Sequence, residues 1–217
     1  MIPLRNSGRS RRFPWATISL VVANVALFSW ELSLGAAAEH RIAALAVAPA
    51  EVVAFADPLR LPFRLVAALF LHGGWLHLLG NMAFLGVFGD DVEGRLGGRR
   101  FLFLYLGSGL VASAAQIAVT PASSVPLIGA SGAIAGVLGS FLVLFPKARL
   151  EGILPLGCLV VPMRSRAFLF LPVWFLLQLW GALAAAPGSA TGGVAWYAHL
   201  AGFAAGPVLL HMLRRRR

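Results

Sequence analysis

The amino-acid sequence predicts an all-α bundle of six membrane-spanning helices, and three observations carry that prediction. Hydrophobic residues are 59% of the 217 and charged residues only 12%, against about 25% charged in a water-soluble domain. Such a chain cannot clothe itself in polar groups, so lipid must be its solvent. Six apolar segments can be drawn, most of them near the roughly 20 residues that cross a bilayer. Basic residues gather in alternate connections between those segments. The chain reads as a single membrane-embedded domain over 1–217, with basic tails at 1–13 and 214–217.

The first segment runs from Trp15 to Gly35. It follows a basic head but lacks a small-residue cleavage site, so it reads as an uncleaved first helix. The second, Gly74 to Gly89, and the fourth, Ser131 to Phe145, are short. Helices of that length begin inside the protein, where their ends line a cavity and lipid does not meet bare backbone. The third covers Phe101 to Val119, the fifth Phe168 to Ala185 and the sixth Val194 to Leu213. The long first connection, Ala36 to Gly73, holds an apolar run from Phe63 to Leu71 that is too short to cross and reads as interfacial or packed on the bundle. The termini read as disordered.

Charge orients the bundle. Of the 18 Lys and Arg residues, all but Arg41, Arg60 and Arg64 lie in the N-terminal arm, the second and fourth connections and the tail. Basic residues favour the cytoplasmic side, so both termini are expected there. A net charge of +10 raises the question of nucleic acid, but no basic stripe is interleaved with aromatics, and the charges flank apolar segments as topology signals and anionic-lipid contacts do. The lone Cys158 excludes an internal disulfide and reads as an apolar filler.

Polar side chains inside spans are costly and generally face an interior cavity. His77 and Asn81 share one helix face in the second segment, Ser131 opens the fourth, and His199 lies in the sixth. The topology puts all four near the extracytoplasmic side. Gly132 and Gly136, and likewise Gly202 and Gly206, are four residues apart. Small residues at that spacing let two helix backbones approach closely, which would bring the Ser131 hydroxyl to the His199 imidazole. A serine hydroxyl needs such a base to become a nucleophile. Asp90, Asp91, Glu93 and Glu151 fall on the other side, and the remaining acidic residues lie off the facing stripes, so a dyad is expected rather than a triad. Taken singly, Ser131 is a packing residue of a glycine-rich helix, His199 a satisfied core histidine, and His77 with Asn81 the cap of a broken helix.

Gly129-Ala130-Ser131-Gly132, His199-Leu200-Ala201-Gly202, the run from His72 through His77 to Asn81, and Glu93-Gly94-Arg95-Leu96-Gly97 together resemble the rhomboid intramembrane serine proteases in order and spacing. The resemblance covers Phe63 to Gly206. It implies a six-helix fold and cleavage of transmembrane segments of membrane proteins without a cofactor or metal. Ser131 matches the nucleophile, and His199 the base. His77 and Asn81 match the side chains that form the oxyanion hole with the Ser131 backbone N–H, and Glu93 and Arg95 match a structural motif. His72 matches a loop histidine of the family. Position 135 is Ala, where rhomboids often carry an aromatic ring against the base; Trp196 or Tyr197 is the candidate substitute. The first connection lacks the Trp-Arg hairpin. Trp174, Phe175 and Trp180 are candidates either for a substrate gate or for lipid-facing aromatics.

The expected partners are the bilayer and transmembrane protein substrates, with no nucleic acid. The Ala, Gly and Arg richness suggests a GC-rich bacterial genome, and the expected location is the bacterial inner membrane, as a multi-pass protein. Two other readings stand beside the protease. One is a non-catalytic rhomboid-like scaffold that binds transmembrane helices. The other is a transporter or metal site built on His72, His77 and His199, which would lack carboxylate or thiol ligands.

Overall fold

The computed structural model describes residues 1–7, 12–156, 159–184 and 194–214. Cys158 lies outside the described residues. A strand β1 (Ile2–Asn6) precedes α1 (Trp15–Ser33). Three short helices, α2 (Ala38–Leu45), α3 (Pro49–Val53) and α4 (Leu61–Ala68), fill the first connection. Then come α5 (Trp75–Leu96), α6 (Gly98–Val119) and α7 (Ser131–Leu144), the strands β2 (Arg149–Leu156) and β3 (Leu159–Arg166), and finally α8 (Ala167–Ala184) and α9 (Trp196–Leu213). Among the described residues, three helices, α1, α6 and α8, are long and apolar enough to cross a membrane, and α7 is a shorter apolar helix.

Three expectations are corrected. The fold is mainly helical but not all-α, because β1, β2 and β3 form an antiparallel sheet in that order. Residues Ile2 to Asn6 are therefore an ordered strand, not a disordered tail, with Arg5 bonded to Glu151 at 2.6 Å and Arg164 on the same carboxylate at 3.4 Å. The third correction is the second segment, which does not stop at Gly89. Charges end its apolar run but not its helix, and α5 continues through Asp90, Asp91 and Glu93 to Leu96.

That extension is explained by what Glu93 does. Its buried carboxylate accepts hydrogen bonds from the Ala16 N–H at 2.9 Å, the Thr17 N–H at 2.7 Å and the Thr17 hydroxyl at 2.8 Å. The first N–H groups of a helix have no intrahelical partner, and α1 has no capping side chain of its own. A carboxylate from α5 thus serves as the missing cap, and its charge suits the positive end of the helix dipole. Arg95 lies with its guanidinium 5.9 Å from the centre of the Phe145 ring. At Gly97 the backbone takes φ +82, which glycine adopts without strain, and the chain passes from α5 directly into α6.

The core sits where α5, α6, α7 and α9 meet, and its largest members include Phe88, Leu104, Tyr105, Leu138, Phe141 and Leu210. The first connection packs on this bundle. Ala68, Leu69 and Leu71 are buried, whereas Phe63 is exposed. Arg64 donates to the Ala46 carbonyl and pairs with Glu51 at 2.6 Å. The connection also holds the loop ahead of α7, through Leu127 N–H to Val47 O and Gly129 N–H to Ala68 O, each at 2.8 Å.

Candidate active site

The site is set by how closely α7 and α9 approach. A Cβ at Gly202 would collide with the Gly132 carbonyl oxygen, and one at Gly206 with the Gly136 carbonyl oxygen. On α7, a Cβ at Gly136 would run into Ser108 of α6, and one at Gly139 into the Phe203 carbonyl. Backbone therefore rests on backbone. Gln116 of α6 fixes the start of α9 by accepting the Ala198 N–H at 3.2 Å.

At the head of this seam Ser131 is the first residue of α7, and its Oγ lies 2.8 Å from Nε2 of His199, nearly a turn into α9. Both line a cavity of about 1230 Å³, together with His77, Asn81, Trp174 and Gln178. Gly129, two residues before the serine, has φ +117, and a Cβ there would strike the His77 ring. Only glycine lets the loop pass under that imidazole. Gly73 N–H reaches His77 Nδ1 at 3.5 Å, which leaves Nε2 to carry the proton on the side facing Gly129.

Asn81 and His72 form a second chain. The Phe70 carbonyl can only accept, so His72 Nδ1–H donates to it at 3.1 Å, and His72 Nε2 takes an N–H of Asn81 at 3.0 Å. The Glu31 carboxylate of α1 accepts the His72 backbone N–H at 3.2 Å. Burial, then the neighbouring His77, press the His72 imidazole down to about 4, against the weaker opposing effect of the Phe70 bond. His72 is thus neutral at ordinary pH and orients Asn81.

Some expectations about the site's surroundings change. Ala135 is buried without an aromatic ring of its own, and Tyr197 is turned toward α8, its hydroxyl donating to the Ala182 carbonyl at 3.2 Å. Trp196 stands edge-on to His199 at 6.4 Å, and Trp174 of α8 lies on it at 6.1 Å with a 35° tilt. Of the three aromatics considered for a gate, Trp174 faces the imidazole, Phe175 packs on Phe203 and Trp180 points outward. The sequence reading missed Gln178, whose Oε1 is 2.7 Å from His199 Nδ1. Its only sequence signal was one amide in an otherwise apolar helix.

A rhomboid domain is matched over residues 60–216. The chain belongs to the rhomboid family. Among its rhomboid relatives, the putative rhomboid protease YdcA of Bacillus subtilis (strain 168) is 40% identical over 80 residues, which are 37% of this chain and 40% of that protein. Rhomboid protease GluP of the same organism is 41% identical over 80 residues, 37% of this chain and 15% of that protein. The mitochondrial rhomboid protein 1 of Saccharomyces cerevisiae is 35% identical over 94 residues, 40% of this chain and 26% of that protein. The matched stretch thus spans less than half the length of these relatives. This rhomboid is an integral membrane protein, and its dyad-like pair, glycine seam and His77–Asn81 face lie within the matched domain.

Proposed function

We propose that this rhomboid is an intramembrane serine endopeptidase that cleaves transmembrane segments of membrane proteins, with Ser131 as nucleophile and His199 as base. The observation that carries the reading is the 2.8 Å contact between Ser131 Oγ and His199 Nε2 on the wall of a largely apolar cavity into which His77, Asn81 and Gln178 also open. His199 takes the hydroxyl proton as Oγ attacks the scissile carbonyl, then returns it to the leaving amine. A water molecule, deprotonated in turn by His199, resolves the acyl-enzyme.

The oxyanion of the tetrahedral intermediate is met by the Ser131 backbone N–H, His77 Nε2–H and Asn81. Losing one such donor costs about 100-fold or more in rate. The N-terminal end of α7 adds its dipole to the same place. A substrate helix enters past α8 and the first connection and unwinds in the cavity, since a helical backbone cannot present its carbonyl to the serine. Six helices, α1, α5, α6, α7, α8 and α9, are read as spans, with both termini in the cytoplasm and the dyad near the outer face of a bacterial plasma membrane. The arginine-rich sheet at the end remote from the dyad supports that orientation.

The test uses purified protein in detergent with a model transmembrane substrate and a fluorophosphonate probe. Ser131→Ala should abolish cleavage and labelling, and His199→Ala should abolish cleavage while the fold persists. Cleavage that survives Ser131→Ala ends this reading. Helix binding without cleavage by the unaltered protein would favour the scaffold instead.

A further inference from the structure

We propose that Gln178 is a positioning residue of this site, a neutral third member that holds the His199 tautomer and ring plane. The inference rests on the peptidase reading above. Gln178 is the one amide in the 18 residues of α8, whose other side chains are apolar or aromatic apart from Gly181. A hydrogen-bonding group in a lipid-facing helix is costly unless it is partnered. The side chain is buried, and its Oε1 sits 2.7 Å from His199 Nδ1.

The chemistry of the amide oxygen decides the rest. Oε1 has no hydrogen to give, so the contact is a bond only if Nδ1 carries the proton. Nε2 then presents its lone pair to Ser131 Oγ, 2.8 Å away. The opposite tautomer would put a hydrogen on Nε2 and leave no base for the hydroxyl. Soluble serine proteases assign this task to a buried carboxylate. Here an amide dipole does it without placing a charge beside lipid, where a carboxylate would be expensive to desolvate. It also favours the imidazolium that forms during attack, since Nδ1–H remains its donor throughout.

The arrangement is supported on the same helix face. Trp174 is four residues before Gln178, one helical turn, and it flanks the imidazole that Gln178 bonds. Two contacts farther along hold α8 to α9 at this level: Tyr197 hydroxyl to Ala182 O, and the Trp196 ring against Gly181. Ser131, His199 and Gln178 thus come from three different helices, and α8 sets the base.

The full-length protein in detergent, with histidine labelled by ¹⁵N, provides the test. In the unaltered protein the His199 resonances should report a proton on Nδ1; a neutral ring protonated on Nε2 overturns the proposal. Gln178→Leu keeps the helix apolar and removes the acceptor. It should lower kcat and the fluorophosphonate labelling rate by on the order of 100-fold with KM little changed, and the His199 signal should shift toward the other tautomer. Gln178→Glu keeps an acceptor oxygen in either protonation state and should restore most of the labelling. Labelling by Gln178→Leu at the unaltered rate overturns the proposal while leaving the peptidase reading intact. Labelling that survives Ser131→Ala removes both.

Discussion

Around the serine, most polar side chains are set by another side chain rather than by solvent. His72 shows how. It is almost fully buried, bonded through Nδ1 to Phe70 O and through Nε2 to Asn81, and held down at about 4. An imidazole whose folded value lies below its ordinary 6.5 contributes stability that is complete above about 6.5 and is lost as the pH falls toward about 4. Protonation would also turn Nε2 from acceptor to donor and push Asn81 away. The thermal midpoint in detergent should therefore fall as the pH is lowered across that window. His72→Gln, which cannot take up the proton, should show a shallower fall. An equal fall in both proteins would remove His72 from this role. The sequence pointed to Asn81 directly, by its spacing from His77, but gave His72 no mechanism. Its partners are a backbone carbonyl two residues back and an amide nine residues on, and no helical period links them.

Between elements, the decisive contact is the glycine seam of α7 and α9. Each helix presents bare backbone to the other, and a Cβ at Gly202 would meet the Gly132 carbonyl oxygen, one residue from Ser131. Backbone has no rotamer with which to yield, so Gly202→Ala must part the helices. The cost should be that of an overpacked core, about 1–3 kcal/mol. Activity should suffer more, because a displacement of about 1 Å at a reacting pair can cost on the order of 100-fold in rate. Thermal unfolding and cleavage measured on the same preparation separate the two effects. Unchanged cleavage would mean that the seam does not set the dyad distance. This seam was visible in the sequence because small residues at i, i+4 are a local pattern. The Glu93 cap of α1 was not, since it joins residues 77 apart and the sequence shows only a charge after an apolar run.

At the scale of the molecule, hydropathy located six long helices to within a few residues at most ends, while the sheet stayed hidden. Its strands pair Ile2–Asn6 with residues around 150, and β2 and β3 contain Pro155 and Pro162. Strand pairing at such separation leaves no periodic trace, and charged, proline-bearing segments score poorly as strands. The sheet nonetheless gathers Arg5, Arg149, Arg164 and Arg166 at the end where α5 and α7 finish. The cavity and the first connection lie at the other end. If the positive charges face the cytoplasm, the two ends must differ in access from outside the cell. In a Cys158→Ser background, Leu59→Cys and Arg164→Cys each place a thiol at a highly exposed position, 93% for the leucine and 85% for the arginine side chain. A membrane-impermeant maleimide applied to spheroplasts should label Leu59→Cys at once and Arg164→Cys only after permeabilisation. The reverse pattern would invert the orientation and place the dyad near the cytoplasmic face, so that substrates would have to unwind from the inner leaflet.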